Sequence, residues 1–113
     1  MKSPITTHVL NTSTGRPAAG MHVVLALQEE SGSWRELARG VTDGDGRITD
    51  LLKEAIDRGV YRLTFDVREY FQLQEQPAFY PEVSVVFEIH DPDQHYHVPL
   101  LLSAFGYSTY RGS

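Results

Sequence analysis

Two histidines stand two residues apart near the end of the chain, in His95-Tyr96-His97-Val98-Pro99-Leu100-Leu101-Leu102-Ser103. Imidazole takes and gives a proton near neutral pH, and it is also a common metal ligand. On a strand, alternation puts His95, His97, Pro99 and Leu101 on one face and Tyr96, Val98, Leu100 and Leu102 on the other. The second row suits a core. The first then points outward, with Pro99 and Leu101 beside two imidazoles, a pattern that fits an interface or a cleft. A third histidine, His8, lies in Ile5-Thr6-Thr7-His8-Val9-Leu10. If Ile5, Thr7 and Val9 face inward, His8 shares the opposite face with Thr6 and Leu10. Taken alone it reads as a solvated strand histidine. The three histidines together could chelate a metal. No carboxylate or cysteine stands at zinc spacing beside them, however, and no metal is expected.

Arg47 follows Asp43-Gly44-Asp45-Gly46. That run resembles the start of a calcium loop, but the ligand series does not continue to a glutamate at the twelfth position, and it reads as a tight turn. Arg47 leaves the turn in a fixed direction. Its plain role is a surface arginine paired with Asp43 or Asp50. The chain ends in Tyr110-Arg111-Gly112-Ser113, a chemically pointed tetrapeptide where most proteins fray. No nucleophile elbow, phosphate-binding glycine loop or zinc helix is present.

These residues need a frame, and the dominant period is two. Val83, Val85, Phe87 and Ile89 alternate with Ser84, Val86, Glu88 and His90, and Tyr61, Leu63, Phe65 and Val67 alternate with Arg62, Thr64 and Asp66. Val23, Leu25 and Leu27 make a third row within Met21 to Gln28, and Trp34 to Val41 reads as a further strand. Turn chemistry falls between the runs, at Asn11 to Gly20, Ser31-Gly32-Ser33 and Asp43 to Gly46. Asp91-Pro92-Asp93 is expected to start a hairpin into the His95 strand. Asp50 to Arg58, with Leu51, Leu52, Ala55 and Ile56 and then Gly59, predicts a short helix. Arg68 to Gln74 suits another turn or two. About seven or eight short strands with turns between them point to an all-β, antiparallel sandwich.

The 113 residues suit one domain over 1–113. A hydrophobic content of 41% allows a real core. The net charge of −5, with its basic residues scattered, argues against a nucleic-acid partner. No apolar run is long enough to span a membrane, so no membrane partner is expected. The opening stretch has no apolar leader core, so a soluble, cytoplasmic protein is expected. With no cysteine, disulfides and thiolate chemistry are excluded.

Several of these stretches together resemble one family, the 5-hydroxyisourate hydrolases, also called transthyretin-like or transthyretin-related proteins. The likeness rests on His8-Val9-Leu10-Asn11 with Gly15-Arg16-Pro17-Ala18, and on Phe79-Tyr80-Pro81-Glu82-Val83. It rests equally on Tyr96 to Ser103 running through Gly106-Tyr107-Ser108-Thr109, and on the final Tyr110-Arg111-Gly112-Ser113. Asn11 stands where many relatives have aspartate, and Ala104 where proline is common. The end tetrapeptide separates these enzymes from true transthyretins, which bind a hormone in a central channel instead.

The resemblance implies a transthyretin-like sandwich of about eight strands with one short helix, assembled as a homotetramer with active sites where dimers meet. In that assembly Pro99 and Leu101 would line an interface. Residues 106–110 would be a last strand, and the tetrapeptide would turn into the cleft. The implied reaction opens 5-hydroxyisourate with water to give 2-oxo-4-hydroxy-4-carboxy-5-ureidoimidazoline in urate degradation, with no cofactor. The implied catalytic residues are His8, Arg47, His97 and Ser113. The histidines would activate water and shuttle its proton, Arg47 would hold a urate-like ring and its oxyanion, and Ser113 would hydrogen-bond substrate or water. The terminal carboxylate is expected to raise the pKa of a histidine near it. Arg111, Tyr110 and His95 are further candidates for holding substrate. The competing reading is a non-enzymatic small-ligand binding protein of the transthyretin type.

Overall fold

A computed structural model describes residues 3–113; Met1 and Lys2 of the opening stretch lie outside it. In chain order the elements are β1 (Ile5–Asn11), β2 (Arg16–Pro17), β3 (His22–Gln28), β4 (Trp34–Val41) and β5 (Arg47–Ile48). They continue with β6 (Gly59–Phe65), α1 (Val67–Leu73), β7 (Val83–Ile89), β8 (Tyr96–Leu102) and β9 (Tyr107–Thr109). They form two sheets, one ordered β2-β1-β8-β9 with β5 also on β1, the other β4-β3-β6-β7. The alternating rows supply the core between them. Ile5 and Val9, Val23 and Leu25, Leu63 and Phe65, and Leu100 and Leu102 are all fully buried.

Among the described residues the strands pair antiparallel except at one pair. β1 runs parallel to β8, matching Ile5 to Tyr96 and on to Asn11 with Leu102. The opposite edge of β1 is shared by β5, against Thr7 and His8, and by β2, against Leu10 and Asn11.

Two local expectations are corrected. Asp50 to Arg58 is irregular rather than helical. A nine-residue segment has little helical stability of its own, and here its backbone is committed elsewhere, with Leu52 N donating to Ser3 Oγ at 3.1 Å. Leu51 and Ile56 still bury their side chains, as plugs in a loop. Among the described residues the one helix lies at Val67–Leu73, where Asp66 caps it by accepting from Glu69 N at 3.2 Å. Secondly, Asp91-Pro92-Asp93 does not open a hairpin, because β7 and β8 belong to different sheets. The segment is a corner. Asp91 Oδ1 accepts from Asp93 N, and the Tyr96 hydroxyl donates to Asp91 O at 2.8 Å, which pins the crossing. Among the described residues no helix is long and apolar enough to cross a membrane.

The Asp43–Gly46 turn aims Arg47. Asp43 Oδ1 accepts from both Asp45 N and Arg47 N at 2.9 Å. Gly46 O accepts from Val9 N at 2.8 Å, so the turn is tied to β1. Gly46 has φ +75°, and an added Cβ would lie 2.4 Å from Val9 O. Gly46→Ala should therefore destabilise the fold by at least about 1 kcal/mol from backbone strain alone. That lowers the thermal midpoint by roughly 4 °C or more. An unchanged melt would show that the turn has slack to spare.

Candidate active site

The outer face of the β1 sheet collects the chemistry. Cross-strand neighbours share a face. β1 sets His8 opposite Arg47 of β5 on one side and opposite Pro99 of β8 on the other. Two residues earlier it sets Thr6 opposite His97. β9 pairs antiparallel with β8, and the tail beyond it keeps to the same edge. Gly112 N donates to His97 O at 2.8 Å. An added Cβ at Gly112 would lie 2.6 Å from His97 Cδ2 and 3.2 Å from Pro99 Cγ. This glycine is needed for close approach to the imidazole.

A cleft of about 320 Å³ results, lined by Thr6, Thr7, Arg47, Thr49, His95, His97 and Ser113. Arg47, His95, His97 and Ser113 thus meet in it, and His8 stands beside Arg47 across the β1–β5 pair. Arg47 takes part in no ion pair among the described residues, so its guanidinium is not committed to Asp43 or Asp50; those pairs are His22–Glu69, Glu36–Arg39 and Glu88–His90. No group of three or more metal-ligating side chains gathers among the described residues.

His97 is half-buried, and its environment pushes its pKa below the ordinary 6.5. Burial is the largest cause, followed by the charges of Arg47, His95 and His8. The net direction is opposite to the rise expected from the terminal carboxylate. A neutral imidazole therefore persists below the usual histidine range, as a base needs. Thr6 Oγ1 lies 2.8 Å from His97 Nδ1 and 3.1 Å from His95 Nε2. The two rings are nearly parallel, 17° apart in plane with centroids 6.5 Å apart.

The tetrapeptide divides. Gly112 and Ser113 turn to the His97 side, whereas Tyr110 and Arg111 line a separate cavity of about 540 Å³ between β7 and β9. Arg111 lies 4.4 Å over the Tyr96 ring, and its Nη2 donates to Gln94 Oε1 at 2.8 Å and His95 O at 3.3 Å. It straps the tail to the corner. The outward apolar row is also less open than alternation implies. Pro99 is buried, with the tail packed against it, and Leu101 is half-buried. Thr6 and Thr49 join the cleft without being candidates from sequence. Period two places Thr6 on the His8 face, but nothing marks Thr49.

Residues 5–112 match the HIUase/Transthyretin family. The chain is 47% identical over 110 residues to 5-hydroxyisourate hydrolase of Salmonella dublin, covering 96% of this chain and 80% of that one. Among solved structures it is similar to sea bream transthyretin in complex with thyroxine, with TM-score 0.92 and 34% identity over 97% of this chain and 95% of that one. It is also similar to the 5-hydroxyisourate hydrolase of Klebsiella pneumoniae, with TM-score 0.84 and 35% identity over 96% and 98%.

Proposed function

Since the chain belongs to the HIUase/Transthyretin family, we propose that it is a 5-hydroxyisourate hydrolase acting in urate degradation. The backbone match is shared by a hormone-binding transthyretin and a hydrolase, so fold alone does not choose between them. The 47% identity to a hydrolase favours catalysis. The observation that carries the reading is the gathering of His97, Arg47 and Ser113 around one cleft with His8 beside Arg47. A binding channel for an apolar ligand has no use for that set.

Water loses a proton to His97 as it attacks the ring carbonyl. Arg47 holds the planar substrate and the oxyanion that forms. His8 carries a proton to the leaving nitrogen as the C–N bond breaks. Ser113 hydrogen-bonds substrate or water from the end of the tail. Tyr110 and Arg111 act on the tail's position rather than on the substrate. A homotetramer is part of the proposal. It is supported by the outer edges of β7 and β9, which carry no further strand among the described residues, and by the exposed apolar side chains Val86, Phe105, Tyr107 and Tyr110.

Freshly generated 5-hydroxyisourate, followed in the ultraviolet, should decay rapidly with the untagged chain and slowly with a chain ending at Tyr110. Light scattering on the same intact sample should return four times the 12.8 kDa chain mass. No acceleration by the intact, folded chain would remove the hydrolase reading.

A further inference from the structure

The hydroxyl of Thr6 bridges two imidazoles but owns a single hydrogen. Thr6 is 4% exposed and sits on β1 directly opposite His97. Its oxygen lies within hydrogen-bond distance of His97 Nδ1 and of His95 Nε2. A hydroxyl donates once, so the two contacts cannot both be donations from Thr6. Nor can both rings donate without cost. The buried hydroxyl hydrogen would then have no acceptor, because these two nitrogens are its partners among the described residues. Two arrangements of neutral rings satisfy every group. In the first, His97 Nδ1–H donates to Thr6, which donates to His95 Nε2. In the second, His95 Nε2–H donates to Thr6, which donates to His97 Nδ1. The first leaves the His97 Nε2 lone pair free, and the second puts a proton there. The tautomers of the two histidines are therefore locked in opposition.

We propose that Thr6 is a positioning residue that holds His97 in the base tautomer and links it to His95 as a proton outlet. The inference rests on the hydrolase reading for its catalytic consequence. The tautomer lock itself does not depend on that reading. Arg47 lines the same cleft as His97, and a nearby cation favours a lone pair at the free nitrogen over an N–H. The first arrangement is thus the resting one.

The proton balance is simple. Water gives a proton to His97 Nε2, forming imidazolium. His97 Nδ1 then passes its proton to Thr6 Oγ1 as the Thr6 hydroxyl proton moves to His95 Nε2. His97 ends neutral and His95 ends as imidazolium. No proton is gained or lost overall. The positive charge moves from a half-buried ring beside Arg47 to an exposed one, where water solvates it. The pair is reset when the shift runs back and His97 Nε2 gives up the proton it took from water, to His8 for the leaving nitrogen or to solvent. Arg111 belongs to the device, since its bond to His95 O helps hold the outlet in place.

Nitrogen chemical shifts of 15N-histidine in the intact protein at neutral pH read the lock directly. We expect His97 protonated at Nδ1 and bare at Nε2, and His95 bare at Nε2. The opposite pattern, or averaged shifts for both rings, would overturn the proposal whether or not the protein hydrolyses 5-hydroxyisourate. In kinetics, Thr6→Val keeps the shape and removes the hydroxyl, and should lower kcat about 10–100-fold, as loss of an orienting partner does, with KM little changed. Thr6→Ser should restore most of that loss. His95→Gln should lower kcat, and the double variant should be no slower than the slower single, because both break one chain. Wild-type kcat in folded Thr6→Val, or losses that multiply in the double variant, would overturn the relay. If Thr6→Val does not fold, the shifts and the Thr6→Ser and His95→Gln rates still decide.

Discussion

His97→Ala should lower kcat for 5-hydroxyisourate by about 10²–10⁴-fold, the usual contribution of a positioned general base. The protein should stay folded, because His97 is only half-buried and the core residues on the other face of β8 are untouched. Arg47→Ala should cost about 10²–10³-fold, as loss of one oxyanion donor does, and it should also move the pH profile. Arg47 is the second cause, after burial, of the lowered His97 pKa. With Arg47 gone that pKa rises toward the ordinary 6.5, so the base is protonated at higher pH. The acid limb of kcat/KM should shift upward accordingly. Arg47→Lys keeps the charge and should keep the limb in place while still losing the two-pronged hold on substrate. Steady-state rates across pH, at matched soluble yield, check both variants. Wild-type rates in His97→Ala and Arg47→Ala would remove the site assignment.

The second large effect should come from Gly112→Ala. Its new methyl would meet Cδ2 of His97 at 2.6 Å and Cγ of Pro99 at 3.2 Å. Either the tail lifts, withdrawing Ser113 from the cleft, or the imidazole turns, breaking its bond to Thr6. Misplacement of this order in an active site can cost about 10²-fold. Stability should hardly move, since residues 107–111 around this tail are exposed and the core is not involved. A melt and a rate measured together separate the outcomes. A large loss of rate with an unchanged melt supports the contact as a catalytic constraint. A wild-type rate would mean that the tail yields without consequence.

Much of the frame was legible, because period-two rows in β6, β7 and β8 leave few alternatives once a core has to be closed. The site was partly legible for the same reason: Thr6 and His8 share a face by alternation, as do His97 and Pro99. What alternation does not carry is which strands become neighbours. Nothing local pairs β1 with β8, so the resemblance, not the pattern, joined His8 to His97. The Asp50–Arg58 segment has helical spacing in Leu51, Leu52, Ala55 and Ile56. Spacing does not register that Ser3 will claim the Leu52 amide. Asp91-Pro92 marks a reversal either way, and whether a reversal stays within a sheet or crosses between sheets depends on distant partners such as Tyr96. Likewise the tetrapeptide reads as one unit in sequence, yet Arg111 finds an aromatic face and a carbonyl at the corner while Ser113 reaches the cleft.

The parallel pairing of β1 with β8 has a consequence for how the protein comes into being. Thr7 and Val98, bonded across that pair, are separated by 91 positions in the chain. Closing so long a loop is an entropic cost met before any contact rewards it, and folds dominated by such pairings form in about milliseconds to seconds. On the ribosome, β1 emerges long before β8 and lacks its longest partner strand until β8 has been made. β3, β4, β6 and β7 can assemble as a sheet in the meantime, since each pairs with a strand close in sequence. The face bearing His8, Arg47 and His97 is therefore the last to exist, complete only once β8 and the tail have been made.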